Sequence, residues 1–155
     1  MSTTTAERGN VSSASELLTL TQQQLDDLFA ASPPGEIPVG RGAGLAIIAP
    51  RTFAGAVARR LITWVVWKGK LFRPATGDLK NRLSPFGIPG IRAKVYVAAS
   101  WKTQGDAIIL DYSKTSFVAS FIRDEIRQVG PGLYLGKVFF GRRHVFDFCL
   151  TFPPR

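Results

Sequence analysis

The sequence predicts a mainly β protein of the α+β class: a small antiparallel barrel with two or three short helices, mostly N-terminal. Three observations support this prediction. Apolar and polar residues alternate over 91–102, which is typical of a strand. Short glycine-containing turns separate the segments that follow, as in antiparallel hairpins. No alternating βαβ rhythm is present, which argues against a parallel sheet. Since a sheet with an apolar face must close or be covered, an open sheet packed against the helices is the alternative.

The first half of the chain supplies the helices. Residues 21–31 have helical apolar spacing, with Thr21 as the N-cap and Gln24 in the capping-box position. A short apolar run at 43–49 predicts a buried strand. A second helix is predicted at about 52–65, because Phe53, Val57, Leu61 and Trp64 recur at helical intervals. We expect a helix to lie over one mouth of the barrel.

The second half supplies the strands. Strands are predicted at 67–72, 91–102, 107–112, 123–129, 133–140 and 144–152, with a short helical segment at 115–122. In the strand 91–102 the side chains at odd positions are mostly apolar, and those at even positions include Arg92, Lys94 and Lys102. We therefore expect Ile91, Val95, Val97 and Trp101 to be buried.

The length of 155 residues and the apolar fraction of 45% suit one domain with one core. We expect that domain to span 15–155 and to follow a disordered leader at 1–14, which is polar and has no apolar period. The leader has no apolar h-region. The most apolar run, at 61–67, falls well short of the ~20 residues needed to span a bilayer. The expected location is cytoplasmic.

The segment DAIILDYSKTSFVASFIRDEIRQVGPGLYLGKVFFGRRHVFDFCLTF has a strand ending in Asp-Tyr, a short helical excursion, a charged strand and a glycine-rich turn. This order resembles the β-meander half of lipocalin-like (calycin) barrels of small bacterial proteins. The upstream segments WKGKLF and LKNRL resemble the first strands of such barrels. The resemblance covers about 64–152, and it implies a cavity for a small apolar or amphipathic ligand.

Five residues are candidates for ligand binding because they lie at strand ends or interrupt an apolar face: Asp111, Tyr112, Arg123, Tyr134 and Asp147. An Asp-Tyr-Ser sequence at a strand end is typical of a turn, but Asp111 and Tyr112 could instead form a polar floor for a ligand. Asp147 either lines the interior as a carboxylate with a partner, or is an ordinary surface acid.

The run 123–127, Arg-Asp-Glu-Ile-Arg, has two interpretations. It is a solvated strand face with internal ion pairs of little energetic value. Alternatively, Arg123 or Arg127 points into the cavity and binds a ligand carboxylate bidentately.

Other chemistry finds little support. One Cys and one His cannot form a zinc site, so no metal is expected, and no motif predicts a cofactor. Cys149 and His144 are an odd number of positions apart on one strand, so they should face opposite sides. We expect Cys149 to be a core residue and His144 to be a solvated turn residue.

The charge is uneven. Residues 1–36 hold five acids and one base, while residues 37–105 hold twelve bases and one acid, and the formal net charge is +9. The first functional hypothesis is binding of a small apolar or amphipathic, possibly anionic, ligand in the barrel. The second is a cofactor-free isomerase, cyclase or lyase using the same cavity. The third is a basic module that binds nucleic acid or an anionic membrane surface, with nucleic acid as the less favoured partner.

Overall fold

A computed structural model describes residues 11–47, 67–73, 78–83, 92–113 and 119–153. For 67–73, 78–83, Arg41, Arg92 and Ala119 it describes the backbone alone. Two helices come first, α1 (Ala14–Leu17) and α2 (Gln22–Ala31). Eight strands follow, with a 3₁₀ turn at Ala119–Phe121 before the sixth. Their bounds are β1 Gly40–Ile47, β2 Trp67–Arg73, β3 Asp78–Leu83, β4 Arg92–Ala99, β5 Asp106–Asp111, β6 Ile122–Gly130, β7 Leu133–Phe140 and β8 Arg143–Thr151.

The protein is mainly β, and its strands pair antiparallel. Six of them form the sheet β4-β5-β6-β7-β8-β1, in which β8 pairs with both β7 and β1. The backbones of β2 and β3 pair with each other and connect β1 to β4 through ladders of three residue pairs each. The strand positions predicted from the sequence are confirmed for the described residues, with shifts at the ends of up to three residues.

The sheet has two faces with different partners. One, here the apolar face, carries ten buried residues that contact one another: Ala93, Ile108, Leu110, Tyr112, Ile126, Tyr134, Val138, Phe148, Leu150 and Phe152. The other, here the helix-covered face, packs Ile109, Leu135 and Cys149 against Leu25 and Phe29 of α2. Because side chains alternate along a strand, neighbouring residues of β5 and β8 belong to different clusters.

The helix α2 begins as predicted from the sequence. The Thr21 hydroxyl accepts from the Gln24 backbone N–H at 3.2 Å, and the Gln24 side chain accepts from the Thr21 N–H at 2.9 Å. The helix lies across the helix-covered face, because Leu25 and Phe29, one turn apart, are both fully buried against it. The predicted helix at 52–65 lies outside the described residues.

Residues 11–14 have defined structure. Val11 is buried in the cluster under the helices, and Ala14 begins α1. Residues 11–14 of the expected leader therefore have defined positions, whereas residues 1–10 lie outside the described part. Within that part, no helix is long and apolar enough to cross a membrane.

The strand β4 ends at Ala99, earlier than predicted, and its faces are only partly as expected. Ala93 and Val95 join the apolar cluster, and Lys94 is exposed. Val97 and Trp101, both expected in the core, are 47% and 37% exposed, and Ile91 lies outside the described residues. The described ladder pairs β3 only with residues 92–94 and does not reach Val97, and Trp101 lies beyond the end of β4.

Two aromatic rings fill the space that glycines leave on the apolar face. A Cβ on Gly136 would overlap the Phe148 ring, which belongs to the neighbouring strand. Gly42 has the same relationship to the Phe152 ring. These close approaches place the rings against the backbone of β7 and β1.

Candidate functional site: an apolar face and a buried polar cluster

Tyr112 lies on the apolar face, where it meets an acid that the sequence analysis did not single out. Its hydroxyl donates to Asp124 Oδ2 at 3.2 Å, and both side chains are almost fully buried. Asp124 lies on the same face of β6 as Ile122 and Ile126, two positions from each. This two-residue spacing is the sequence signal that could have placed Asp124 on the apolar face. A buried carboxylate on an apolar face requires hydrogen-bond partners, and the Tyr112 hydroxyl is one of them.

Asp111 points to the opposite face from Tyr112. Its carboxylate accepts from the Ser113 N–H and from the Tyr96 hydroxyl, each at 2.9 Å. Burial raises the pKa of Asp111, but the hydrogen bonds from Ser113 and Tyr96 and the charge of Arg123 outweigh it, so the pKa lies below its usual value. The Asp111–Ser113 hydrogen bond is the turn interaction expected for Asp-Tyr-Ser at a strand end, and the Tyr96 hydroxyl binds the second carboxylate oxygen.

Tyr134 also lies on the apolar face, and it fixes the segment that precedes β1. Its hydroxyl donates to the Glu36 carbonyl at 2.6 Å, and its ring meets Phe152 edge-on with centroids 5.6 Å apart. The residue is 4% exposed. The structure thus places Tyr112 and Tyr134 on one face, and Asp111, Arg123 and Asp147 on the other.

Arg123 binds the loop between β4 and β5. Its guanidinium donates to the Ala99 carbonyl at 2.9 Å and to Glu125 Oε1 at 3.2 Å, and it lies 4.0 Å from the centroid of the Trp101 ring. Glu125, fully buried, accepts from the Ser100 hydroxyl and the Trp101 N–H at 2.6 Å each. Because Arg123 is on the face away from the apolar cluster, this geometry does not support the expected carboxylate clamp.

Arg127 caps the C-terminus of α2. Its guanidinium donates to the carbonyls of Phe29 at 2.8 Å, Gln104 at 2.9 Å and Asp106 at 3.0 Å. Carbonyls in the last turn of a helix have no partner within the helix and attract cations. Arg127 is therefore a structural residue that joins α2 to the sheet, and burial lowers its pKa.

Asp147 is neither a surface acid nor part of the apolar face. It is fully buried under α2 in a group that we call the polar cluster: Gln22, Asp26, Lys137, His144 and Asp147. The Lys137 ammonium donates to Asp26 Oδ1 at 2.6 Å and to Asp147 Oδ2 at 2.7 Å. The Gln22 amide donates to the same two carboxylates at 2.9 and 3.0 Å.

His144 completes the polar cluster, contrary to the expectation of a solvated turn residue. Its Nε2 lies 2.5 Å from Asp147 Oδ1, and its side chain is 18% exposed. The parity argument missed a β-bulge: Val138 pairs with Phe146 but Phe139 pairs with His144, so Val145 is an extra residue. This extra residue returns His144 to the side of Asp147.

The cluster forms because the strands bring charges into register. Glu125, Lys137 and Asp147 are direct cross-strand neighbours on β6, β7 and β8. Lys137 is fully buried with two acids as partners, and Lys102 adds a contact of 3.3 Å to Asp26. Burial raises the pKa of Asp26, but this effect is outweighed by the hydrogen bonds from Lys137 and Gln22 and by the charges of Lys137 and Lys102. The pKa of Asp26 therefore lies below its usual value.

Chemically, the cluster offers a histidine whose imidazole is held by a carboxylate and remains in part exposed. Histidine paired with a carboxylate is a pairing that proton-transfer sites use. Lys137 has no exposure and holds the acids in place. Among the described residues, no group of three or more His, Cys, Asp or Glu could hold a metal ion.

Comparisons with known proteins bear on the fold alone. No protein family model matches the chain, and no curated protein matches it. A crystal structure of a protein from Thermomonospora curvata is similar to this chain, with a TM-score of 0.58 and 21% sequence identity, covering 86% of this chain and 88% of that one. At that identity the likeness indicates a shared β-rich fold and says nothing about function.

Proposed function

We propose that the strands close as a small lipocalin-like barrel with the apolar face inside, and that this face binds a small apolar or amphipathic molecule. The pairing of β8 with β1, and of β2 and β3 between β1 and β4, supports closure. Barrels of about eight strands have room for side chains or for one small ligand.

The observation that carries the proposal is the composition of the apolar face. Its ten clustered residues carry no charge, and the described charged group beside them is Asp124, which is bonded to Tyr112. Ligand sites are mostly apolar, with a few polar groups that fix orientation. The Asp124 carboxylate and the tyrosine hydroxyls of this face suit a ligand whose head group donates hydrogen bonds, such as an alcohol or an amine. They suit a ligand with an anionic head group less well. The described arginines 123 and 127 lie on the other face.

The test is native mass spectrometry of the purified chain, followed by displacement of the neutral fluorescent probe N-phenylnaphthylamine. We expect a co-purifying apolar molecule, or saturable probe binding that dodecanol displaces better than dodecanoate. If neither a bound molecule nor saturable probe binding is found, the proposal is wrong. If dodecanoate competes better, the preference for a hydrogen-bond donor is wrong.

A second proposal is a small cofactor-free enzyme, an isomerase, cyclase or lyase. The observation that favours it is the His144–Asp147 pair, which can transfer protons. Because this pair lies on the helix-covered face, the reaction would not use the apolar interior. Any turnover should then be lost in His144→Gln and retained in Asp124→Asn, and the opposite pattern would exclude this site.

A third proposal is a basic module for nucleic acid, and it rests on composition. Most of the lysines and arginines that motivate it lie between residues 51 and 92, where the structure does not describe side chains.

A further inference from the structure

We propose that the end of the β7–β8 hairpin, together with the 3₁₀ turn beside it, is a surface that contacts anionic phospholipid membranes. We call it the hairpin surface and define it as Phe121, Phe140, Arg142, Arg143 and Val145. None of its five residues belongs to the ten-residue apolar cluster, and the proposal does not depend on the ligand site proposed above.

The apolar part of this surface is unusually exposed. Phe140 is 55% exposed, Phe121 53% and Val145 49%, the highest values among the described large apolar residues. The two phenyl rings lie 6.0 Å apart, and the Gly141 N–H donates to the Phe121 carbonyl at 2.8 Å. This hydrogen bond ties the 3₁₀ turn to the hairpin, so both rings belong to one patch. Exposed apolar patches of this kind mark interaction sites.

The charged part of the surface is entirely basic. Arg142 and Arg143 are exposed in the turn, and the chain from Phe140 to Phe146 holds no acid. The nearest acid in sequence, Asp147, is fully buried and paired with Lys137. The Arg142 guanidinium also lies 4.3 Å from the centroid of the Trp101 ring, which is 37% exposed. Basic residues beside an anionic bilayer attract its phosphates, by about 1 kcal/mol each, or about fivefold in affinity.

The side chains favour a lipid over a nucleic acid. Phe121 and Phe140 have no polar group, their planes are tilted by 41°, and the aliphatic Val145 adds nothing to base stacking. Phenyl and aliphatic groups next to guanidinium groups form the composition of an interfacial membrane contact, in which apolar groups enter the acyl boundary and cations stay at the phosphates.

The test is flotation of the full chain with vesicles of phosphatidylcholine alone or with about a third phosphatidylglycerol. We expect binding to the anionic vesicles that weakens with salt, and much weaker binding to the neutral ones. Phe121→Ser/Phe140→Ser should bind the anionic vesicles at least tenfold more weakly. Arg143→Gln should lose about fivefold.

Two matched controls separate this surface from general effects. Lys94→Gln removes one exposed charge from β4, and Val39→Ser removes one exposed apolar group (41%) from the segment before β1, at the opposite end of β8. Both should bind like the wild type. Circular dichroism and the thermal midpoint show whether each variant folds. If Phe121→Ser/Phe140→Ser does not fold, Arg143→Gln still tests the surface.

Three outcomes would overturn the proposal: no binding of the wild type to anionic vesicles, equal losses in the controls, or unchanged binding of Phe121→Ser/Phe140→Ser. A single-stranded oligonucleotide is tested in parallel. If the hairpin variants lose oligonucleotide binding and keep vesicle binding, the surface is a nucleic-acid interface, and the membrane assignment is wrong.

Discussion

Lys137 lies directly opposite Asp147 in the β7–β8 ladder, and its ammonium donates a 2.7 Å hydrogen bond to that carboxylate with both side chains fully buried. Asp26 of α2 binds the same ammonium at 2.6 Å. One lysine therefore links two strands and a helix. A buried ammonium with two carboxylate partners is tolerable because each charge has a hydrogen-bonded counterpart.

Replacing the lysine should destabilise the fold strongly. We expect Lys137→Met to lower the free energy of unfolding by about 3–5 kcal/mol, because it leaves two carboxylates without their shared cation. Urea denaturation measures this, with Lys94→Met as the exposed control, which should change it by less than about 0.5 kcal/mol. Lys137→Met/Asp147→Asn should recover part of the loss. If Lys137→Met is no worse than the control, the lysine does not hold the cluster together.

The acid limb of stability should report on Asp26. Its folded-state pKa lies below the unfolded value, so the charged carboxylate stabilises the fold above about pH 4, and that stability is lost as pH falls through the folded pKa. Asp26→Asn should therefore flatten the decline of unfolding free energy below about pH 4. Asp27→Asn, on the exposed side of α2, is the matched control, because it removes one carboxylate from the same helix. Equal slopes in the wild type and Asp26→Asn would contradict the assignment.

Cys149 should be unreactive in the folded protein. Burial raises the pKa of its thiol to about 11, so almost no thiolate exists at pH 8. Ellman's reagent should label it only when the chain unfolds, and labelling in guanidinium gives the full signal of the single cysteine. Rapid labelling of the native protein would show that the helices do not cover β8 as described.

The close approach of Phe148 to β7 makes Gly136 sensitive. Gly136→Ala should lower the free energy of unfolding by about 1–3 kcal/mol, because the added methyl group overlaps the phenyl ring. The thermal midpoint measures the loss. The control repeats Gly136→Ala in a Phe148→Leu background, where the ring is absent. We expect Gly136→Ala to cost less there than in the wild type, because the overlap is relieved. Additive losses would mean that the ring is not the cause.

The elements with strong local signals could be predicted from the sequence. The capping box at Thr21 and Gln24 located α2, and the glycine-containing turns at 130–132 and 141–143 located β7 and β8. What the sequence does not encode locally is the register between strands. The extra residue Val145 reverses the parity of His144, and a single strand gives no sign of it.

The candidate site was harder to predict for a related reason. A lysine in a strand normally indicates an exposed face, so Lys137 was not singled out, and only its neighbours on α2 and β8 explain its burial. Asp124 was hidden within a charged run whose arginines face the other way. Asp147 was recognised as a candidate, but its face could not be decided without knowing where α2 packs.

The central claim is that the apolar face receives a ligand whose polar end meets Asp124 and Tyr112. The most direct measurement compares Asp124→Asn with Asp111→Asn, the same chemical change on opposite faces of neighbouring strands. Displacement of N-phenylnaphthylamine by dodecanol should weaken by about tenfold in Asp124→Asn, as expected for loss of a hydrogen bond to a charged group, and stay unchanged in Asp111→Asn. Equal behaviour of the two variants, or no displacement in the wild type, would contradict the account.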